Sequence, residues 1–443
     1  MQIQLSDHFT YSKLFRFTAP SIVTMIFTSI YSVVDGLFVS NLVGELALSA
    51  VNIIFPVAMI LSAFGFMLGS GGSAIVARTM GEGKPELANR YFSMIILVAL
   101  GLGTVFSIGG ALLIEPIARL AGASDLLMDD CIAYGRILLA GTAPFMLQVA
   151  FQVFFVTAEL PKMGLAVSLA SGATNIVMDY ILIGPLNMGI AGAGWGTVLS
   201  YLVGGGLPLL FFLHPAGGRL KLCPTGLYLR ELKNACVNGS SELMSNLSAS
   251  LISVLYNLQL MRLVGESGVA AYSVMMYVDF AFAAVFLGFS MGVGPIISFH
   301  FGADNRAELK SLLHKSLTVI GASSLAMVAL SELLARPLAM AFVGYSPALT
   351  DMTVHGFRIF ALSYFFVGFG IFGSGFFTGL CNGIISALIS FLRTFLFRGG
   401  MVLLLPIMLD LDGIWLAVTV ADAMGAAVAA ALIWRYRKRY HYG

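Results

Sequence analysis

Charge is what this 443-residue chain has least of. Lys, Arg, Asp and Glu make up 10% of it, against 58% hydrophobic residues and a mean hydropathy of +0.93. A soluble domain carries roughly a quarter charged residues, so a water-facing surface is excluded and the composition is that of a membrane protein. The net charge of +2 is too small and too dispersed for a nucleic-acid partner. Four cysteines, Cys131, Cys223, Cys236 and Cys381, show no CxxC or metal spacing; they read as small buried residues rather than a zinc or disulfide framework. HExxH and P-loop patterns are missing. Gly288-Phe289-Ser290-Met291-Gly292 spells GxSxG, but it lies in an apolar run rather than at a strand-turn-helix elbow. It reads as a small-residue packing segment. Neither enzyme chemistry nor a cofactor is expected. The first twenty residues lack a secretory cleavage site, so the first span is expected to serve as its own insertion signal.

What is abundant is apolar length. Stretches of about 20 residues, each able to cross roughly 30 Å of hydrocarbon, form twelve groups. They lie near 14–40, 50–77, 91–114, 133–157, 162–184, 190–213, 235–260, 269–298, 312–334, 354–379, 384–408 and 413–434. All should be helices, because backbone in lipid must satisfy its own hydrogen bonds. The expected fold class is therefore an all-α membrane protein with twelve transmembrane helices. With both termini cytoplasmic, the inside segments hold 17 of the 24 Lys and Arg, the outside loops and flanks five (Arg119, Arg136, Arg262, Arg336, Arg358), and span 11 two. That asymmetry favours cytoplasmic termini.

Residues 36–204 recur weakly but in register 221 positions later. Val43-Gly44-Glu45 returns as Val264-Gly265-Glu266; Gly71, Gly81 and Pro116 return as Gly292, Gly302 and Pro337. Thr157, Pro185, Gly192 and Gly204 match Thr378, Pro406, Gly413 and Gly425. Six spans per half is an even number, so the repeats are parallel, and substrate is expected between them. The expected organisation is an N-lobe over 1–213, a cytoplasmic linker over 214–234 and a C-lobe over 235–443.

Five acidic residues fall inside spans: Asp35, Asp179, Glu242, Asp279 and Asp422. An ion facing lipid costs several kcal/mol, so each must face a cavity, a partner or a bound ion. Thr24, Thr28, Tyr31 and Asp35 follow 4-3-4 spacing and share one stripe of span 1. Pro20, fifteen residues before Asp35, removes a backbone donor and permits a bend in that helix. Asn175 and Asp179 are i,i+4 neighbours in span 5. Facing a second carboxylate, they offer a proton site or hard oxygens for Na+, and two close acids hold a proton more tightly than either alone. H+ or Na+ at Asp35 and Asp179 is thus the expected coupling ion. Glu242 and Asn246, with Ser250, Ser253 and Asn257, mark a polar stripe on span 7. With Asp279 in span 8, they are candidates for a second coupling or substrate site. Glu242, read near the cytoplasmic end, can equally snorkel to water. Tyr31, Tyr256 and Asn257 are candidate linings of a substrate cavity. Arg393 and Arg398 stand five apart in span 11, on different sides of an α-helix. One is expected to neutralise Asp279 or Glu242, the other to snorkel. Asp422 is expected to be satisfied by interhelical packing. At the repeat offset Asp35 faces Tyr256, Asp179 faces Gly400, Glu242 faces Ser21 and Asp279 faces Ala58. The scaffold repeats; its charges do not.

Pro20 with Asp35, Asn175–Asp179 (NIVMD), Gly189–Thr197 (GIAGAGWGT) and Gly294–Ala303 (GPIISFHFGA) together resemble the multidrug and toxic compound extrusion (MATE) family of bacterial type. The resemblance covers nearly the whole chain. It implies a V-shaped pair of six-helix bundles, working by alternating access as a secondary active antiporter. Amphipathic, often cationic, small molecules would leave against H+ or Na+. It makes Thr197 a fourth oxygen beside Asp35, Asn175 and Asp179. A monomer in a bacterial inner membrane is expected. The alternative is a flippase for a lipid-linked oligosaccharide, which requires a strongly cationic cavity; Arg393 and Arg398 are the only basic residues deep in the spans.

Overall fold

A computed structural model describes the chain except residues 1–2, 44, 215–218, 345 and 443; the side chains of residues 32–42, 45–46, 48 and 266 also lie outside the described residues. Among the described residues every regular element is helical. The first half comprises α1 (Tyr11–Leu42), α2 (Glu45–Gly81), α3 (Pro85–Leu112), α4 (Ile114–Leu120), α5 (Met128–Ala140), α6 (Thr142–Thr157), α7 (Pro161–Ile183) and α8 (Gly189–Leu213). The second comprises α9 (Leu229–Leu263), α10 (Glu266–Gly302), α11 (Arg306–Val343), α12 (Pro347–Ala361), α13 (Tyr364–Gly379), α14 (Gly383–Phe391), a π-helical segment (Leu392–Phe397) and α15 (Arg398–Tyr440). Helix starts follow local chemistry. Proline opens α3, α7 and α12, where its missing N–H costs nothing. Asn305, Ser346 and Asn382 accept from the N–H of Glu308, Leu349 and Ile385.

Among the described residues, eight stretches are long and apolar enough to cross a membrane, and the bent pairs α5–α6 (50°) and α12–α13 (46°) add two broken spans. Helix α9 is an eleventh crossing whose apolar signal is diluted by the polar run from Asn238 to Asn246. The twelfth is hidden inside α15. On a straight helix Arg398 and Asp422 would stand about 36 Å apart, yet Nη2 and Oδ2 are 2.9 Å apart. The chain therefore reverses at Asp410, whose φ of 47° is non-helical. A methyl at Gly413 would meet the Leu405 carbonyl at 2.3 Å, so only glycine fits this return. Among the described residues the outcome is an all-α membrane fold of twelve crossings in two parallel six-helix repeats.

The halves meet through α1–α10, α2–α9 and α2–α10. A methyl on Gly81 would sit 2.0 Å from Phe299 O, and one on Gly302 would sit 2.1 Å from Arg78 O. Residues 81 and 302, like 78 and 299, are 221 apart, so these are one contact seen from its two sides. A pseudo-twofold axis runs between α2 and α10 at that point. Gly71 and Gly239 do the same for α2 and α9, where added methyls would meet Ala235 O at 2.0 Å and Met67 O at 1.9 Å. The GxSxG glycines prove to be packing residues: Gly288 abuts Ile22 and Gly292 abuts Thr18 of α1. The repeated glycines thus mark where the two backbones touch.

The described residues nearest both ends, among them Leu5 and Tyr442, lie on this sealed face, called here the terminal side. The start of each half packs into the other half's core. Leu5, Phe9, Leu14 and Phe17 belong to the core of the second half. Leu232 and Cys236 of α9 pack against the core of the first.

Candidate functional site

In the first half, α7 carries Asn175 and Asp179, and α8 packs against it with Thr197 next to Gly196. Asp179 is fully buried, Asn175 is 1% exposed and Thr197 is buried. A methyl on Gly196 would lie 2.0 Å from Asp179 Oδ1, so the missing side chain on α8 makes the space for this carboxylate. Thr197 Oγ1 donates to Ala193 O at 3.0 Å, leaving its lone pairs on the hydroxyl's other side. Asn175 Oδ1 makes no hydrogen bond among the described residues. Helices α7 and α8 together carry one basic residue, Lys162, in the first turn of α7, about 25 Å along the helix from Asp179. Helix α1 packs beside this group: Gly172 of α7 touches the rings of Phe27 and Tyr31. Asp35, the fourth member read from sequence, has its side chain outside the described residues. Helix α1 runs unbroken through Pro20. Thr24 and Thr28 turn their hydroxyls back onto the carbonyls of Pro20 and Thr24, so part of the polar stripe is spent on its own helix.

In the second half, the matching helix pair holds a salt bridge. Arg398 donates two bonds to Asp422 Oδ1 (3.2 and 3.3 Å) and one to Oδ2 (2.9 Å), and Arg393 Nη1 lies 4.0 Å from the same carboxylate. Both arginines therefore face Asp422, which corrects the expectation of opposite sides. The segment between them is π-helical, and i→i+5 bonding brings positions five apart onto one face. Gly370 and Gly425 clear the space for Arg393, whose side chain a methyl at either would strike. Glu242 lies within electrostatic reach of Arg393, as Asp279 does of Arg398. Glu242 is thirteen residues into α9, about 20 Å along the helix from its first residue. Asn246 Nδ2 donates to Glu242 O. Tyr256 is not a cavity residue: it is 1% exposed, stacked on Tyr272 at 4.7 Å, with its hydroxyl on Ile414 O. Its neighbour Asn257, about 100° around the helix, is exposed, and Tyr31 is half-buried.

A third group had no sequence signal. Residues 4–9 form a strap across the terminal side, with Leu5 and Phe9 fully buried. Leu5 N–H donates to Glu159 Oε1 at 2.6 Å. Glu159 also pairs with Arg219 at 3.1 Å, and Arg219 reaches Gln4 at 2.7 Å. Phe9 N–H donates to Glu308 Oε1 at 2.9 Å, and His8 Nδ1 lies 2.6 Å from Glu308 Oε2. Lys315 donates to Phe9 O. Glu159 closes the α6–α7 turn of the first half and Glu308 opens α11 of the second, so the strap ties the halves together. Burial pushes the Glu159 carboxyl above its ordinary range, outweighing Leu5 N–H and Arg219. Glu159 and Glu308 stand outside the predicted spans, so neither carries the cost that marks an acid in lipid. Only the three-dimensional return of the N-terminus reveals them.

The family model described as MatE matches residues 20–181 and 243–400. Among curated relatives, the multidrug export protein MepA of Staphylococcus saprophyticus is 23% identical, over 68% of this chain and 67% of its own. A protein named FAD transporter from Shewanella oneidensis is 26% identical over 74% of each. Among solved structures, one described as the outward-facing conformation of a multidrug resistance MATE family transporter superposes with a TM-score of 0.93. It is 23% identical and covers 100% of this chain and 99% of that one. A transporter from Pyrococcus furiosus, described as having a binding pocket of reverse polarity, gives 0.88 at 24% identity, over 98% and 97%.

Proposed function

Because the chain belongs to the MatE family, which matches both of its halves, we propose that it is a multidrug efflux transporter exchanging H+ or Na+ for amphipathic, often cationic, small molecules. It is a transporter family, and the chain is not an enzyme. The observation that supports the coupling reading is Asp179, fully buried against the bare face of Gly196, with Asn175 one turn earlier on the same helix face and Thr197 next to Gly196 in α8. A buried carboxylate in such company is suited to a proton or a hard cation. Asp35 joins it on the sequence reading.

The Lys and Arg distribution supports cytoplasmic termini. The glycine seal and strap then close the cytoplasmic side, and substrate leaves from between the halves on the other. Tyr31 and Asn257 are lining residues in this reading; Tyr256 is not. An ion arriving at Asp35 and Asp179 from outside lets α1 bend at Pro20, where Arg16 O has no N–H to accept from. That change reshapes the first half's wall and releases substrate. The ion drives the cycle by binding one conformation more tightly than the other. Glu242, Asn246 and Asp279 remain a second candidate coupling site, with three carboxylates (Asp422 included) set against Arg393 and Arg398. Arg398 bonded to Asp422 and Arg393 facing the same carboxylate weigh against the flippase alternative, which needs a strongly cationic cavity. Asp179→Asn should insert and fold yet lose uphill dye efflux in liposomes; full efflux in that variant would sink the assignment.

A further inference from the structure

The strap has an unfilled twin. A cavity of about 620 Å³ opens on the terminal side, walled by Arg78, Glu82, Lys84 and Leu87 from the first half and by Arg230, Lys233 and Asn382 from the second. Its residues are the repeat partners of the strap site. Thr79 and Leu87 line it and stand 221 before His300 and Glu308; Arg230 stands 221 after Phe9. His300 lies against the backbone of Leu5 and Asp7, and Glu308 holds Phe9 N–H. The two clefts therefore flank the Gly81–Gly302 contact symmetrically. One is filled by the chain's own residues 4–9; the other is open.

The substitutions between the twins say what kind of molecule fits the open one. The filled cleft offers a carboxylate to a peptide N–H, through Glu308. The open cleft has Leu87 at that position and cannot hold a peptide in this way. Where the filled cleft has Phe9 and Phe299, the open one has Arg230 and Arg78. Its wall carries four cations, Arg78, Lys84, Arg230 and Lys233, against two acids, Glu82 and Glu231. Glu82 is shared by Arg78 at 3.1 Å and Lys84 at 3.0 Å, and Asn234 donates to Glu231 at 3.1 Å. The surplus charge is positive, and guanidinium groups match phosphate oxygens in a fork geometry. The volume lies within the usual range of roughly 300–1,000 Å³ for small-molecule sites.

We propose that this cleft is a binding site for a phosphate-bearing anion, either a phospholipid headgroup or a soluble phosphate ester. Since its walls come from both halves, the bound anion bridges them and favours the conformation with the terminal side sealed, as the strap does in the twin cleft.

The test uses the full chain and inorganic pyrophosphate, with thermal unfolding in detergent at fixed ionic strength as the readout. A parallel arm compares nanodiscs of phosphatidylcholine alone with nanodiscs containing phosphatidylglycerol. A saturable rise in Tm with pyrophosphate, weakened at least tenfold in apparent affinity by Arg230→Gln with Lys233→Gln and restored by Arg230→Lys with Lys233→Arg, supports a soluble phosphate ester. A rise confined to phosphatidylglycerol and lost in the Gln pair supports a lipid headgroup. No rise in either arm, or the same rise in wild type and Gln pair, overturns the proposal.

Discussion

Replacing Gly302 by alanine tests the seal between the halves most sharply. The added methyl would stand 2.1 Å from Arg78 O, 2.8 Å from its carbonyl carbon and 3.0 Å from its α-carbon. All three are backbone atoms of the opposing helix, so no rotamer change relieves the clash. The helices must part by about 1.3 Å, the gap between 2.1 and the 3.4 Å of ordinary contact. Overpacking of this kind costs about 1–3 kcal/mol, which shifts a two-state equilibrium roughly 5- to 150-fold. The cost falls only on the conformation with the terminal side sealed, so the variant should populate the other one. Spin labels at Leu126 and Ala348, both exposed on the far side, would report a shorter separation in a background without the four native cysteines. Gly81→Ala meets Phe299 O at 2.0 Å and should shift the distribution equally. Gly109→Ala, with nothing within 4 Å, is the control. A distance distribution for Gly302→Ala matching that control would refute the reasoning.

Phe9→Ala empties a fully buried ring position and should cost about 3–5 kcal/mol, seen as a lower Tm in detergent; Phe15→Ala, at a ring 60% exposed, should cost far less. The strap should also respond to pH. Glu159 holds its proton above the ordinary value of 4.5 when the strap is seated, more tightly than when hydrated. Acidification through the window above 4.5 therefore favours the seated strap and rising pH weakens it. Glu159→Gln should flatten the pH dependence of the same label separation, and an unchanged dependence would contradict the assignment. Asp422→Ala leaves Arg398 and Arg393 buried without their shared counter-ion and should cost about 3–5 kcal/mol. Asp422→Leu with Arg398→Met should recover only part of that loss on thermal unfolding, since Arg393 keeps its charge.

Length and apolarity were enough to read twelve crossings, because lipid leaves helices as the only option for such segments. The repeat was legible through Gly81 and Gly302, since a backbone contact tolerates no side chain. The pairing of Arg393 with Asp422 was not. It depends on a local change from α to π hydrogen bonding, to which Leu392–Phe397 offers no sequence cue. Tyr256 misled because a polar stripe looks the same whether it faces a cavity or the core of its own bundle. The strap was invisible because its partners, Glu159 and Glu308, are 154 and 299 residues from the groups they hold. Asn175 and Asp179 are legible from their i,i+4 spacing and Thr197 from resemblance alone; all three are buried, on the packed pair α7 and α8.

Cation coupling through Asp179 is tested most directly by reconstituting the protein in liposomes and imposing a pH gradient or a Na+ gradient separately while following a cationic dye. Uphill dye movement should follow one gradient in the wild type and vanish in Asp179→Asn at unchanged Tm and insertion. Uphill movement of equal rate in Asp179→Asn, or no response of the wild type to either gradient, would contradict it.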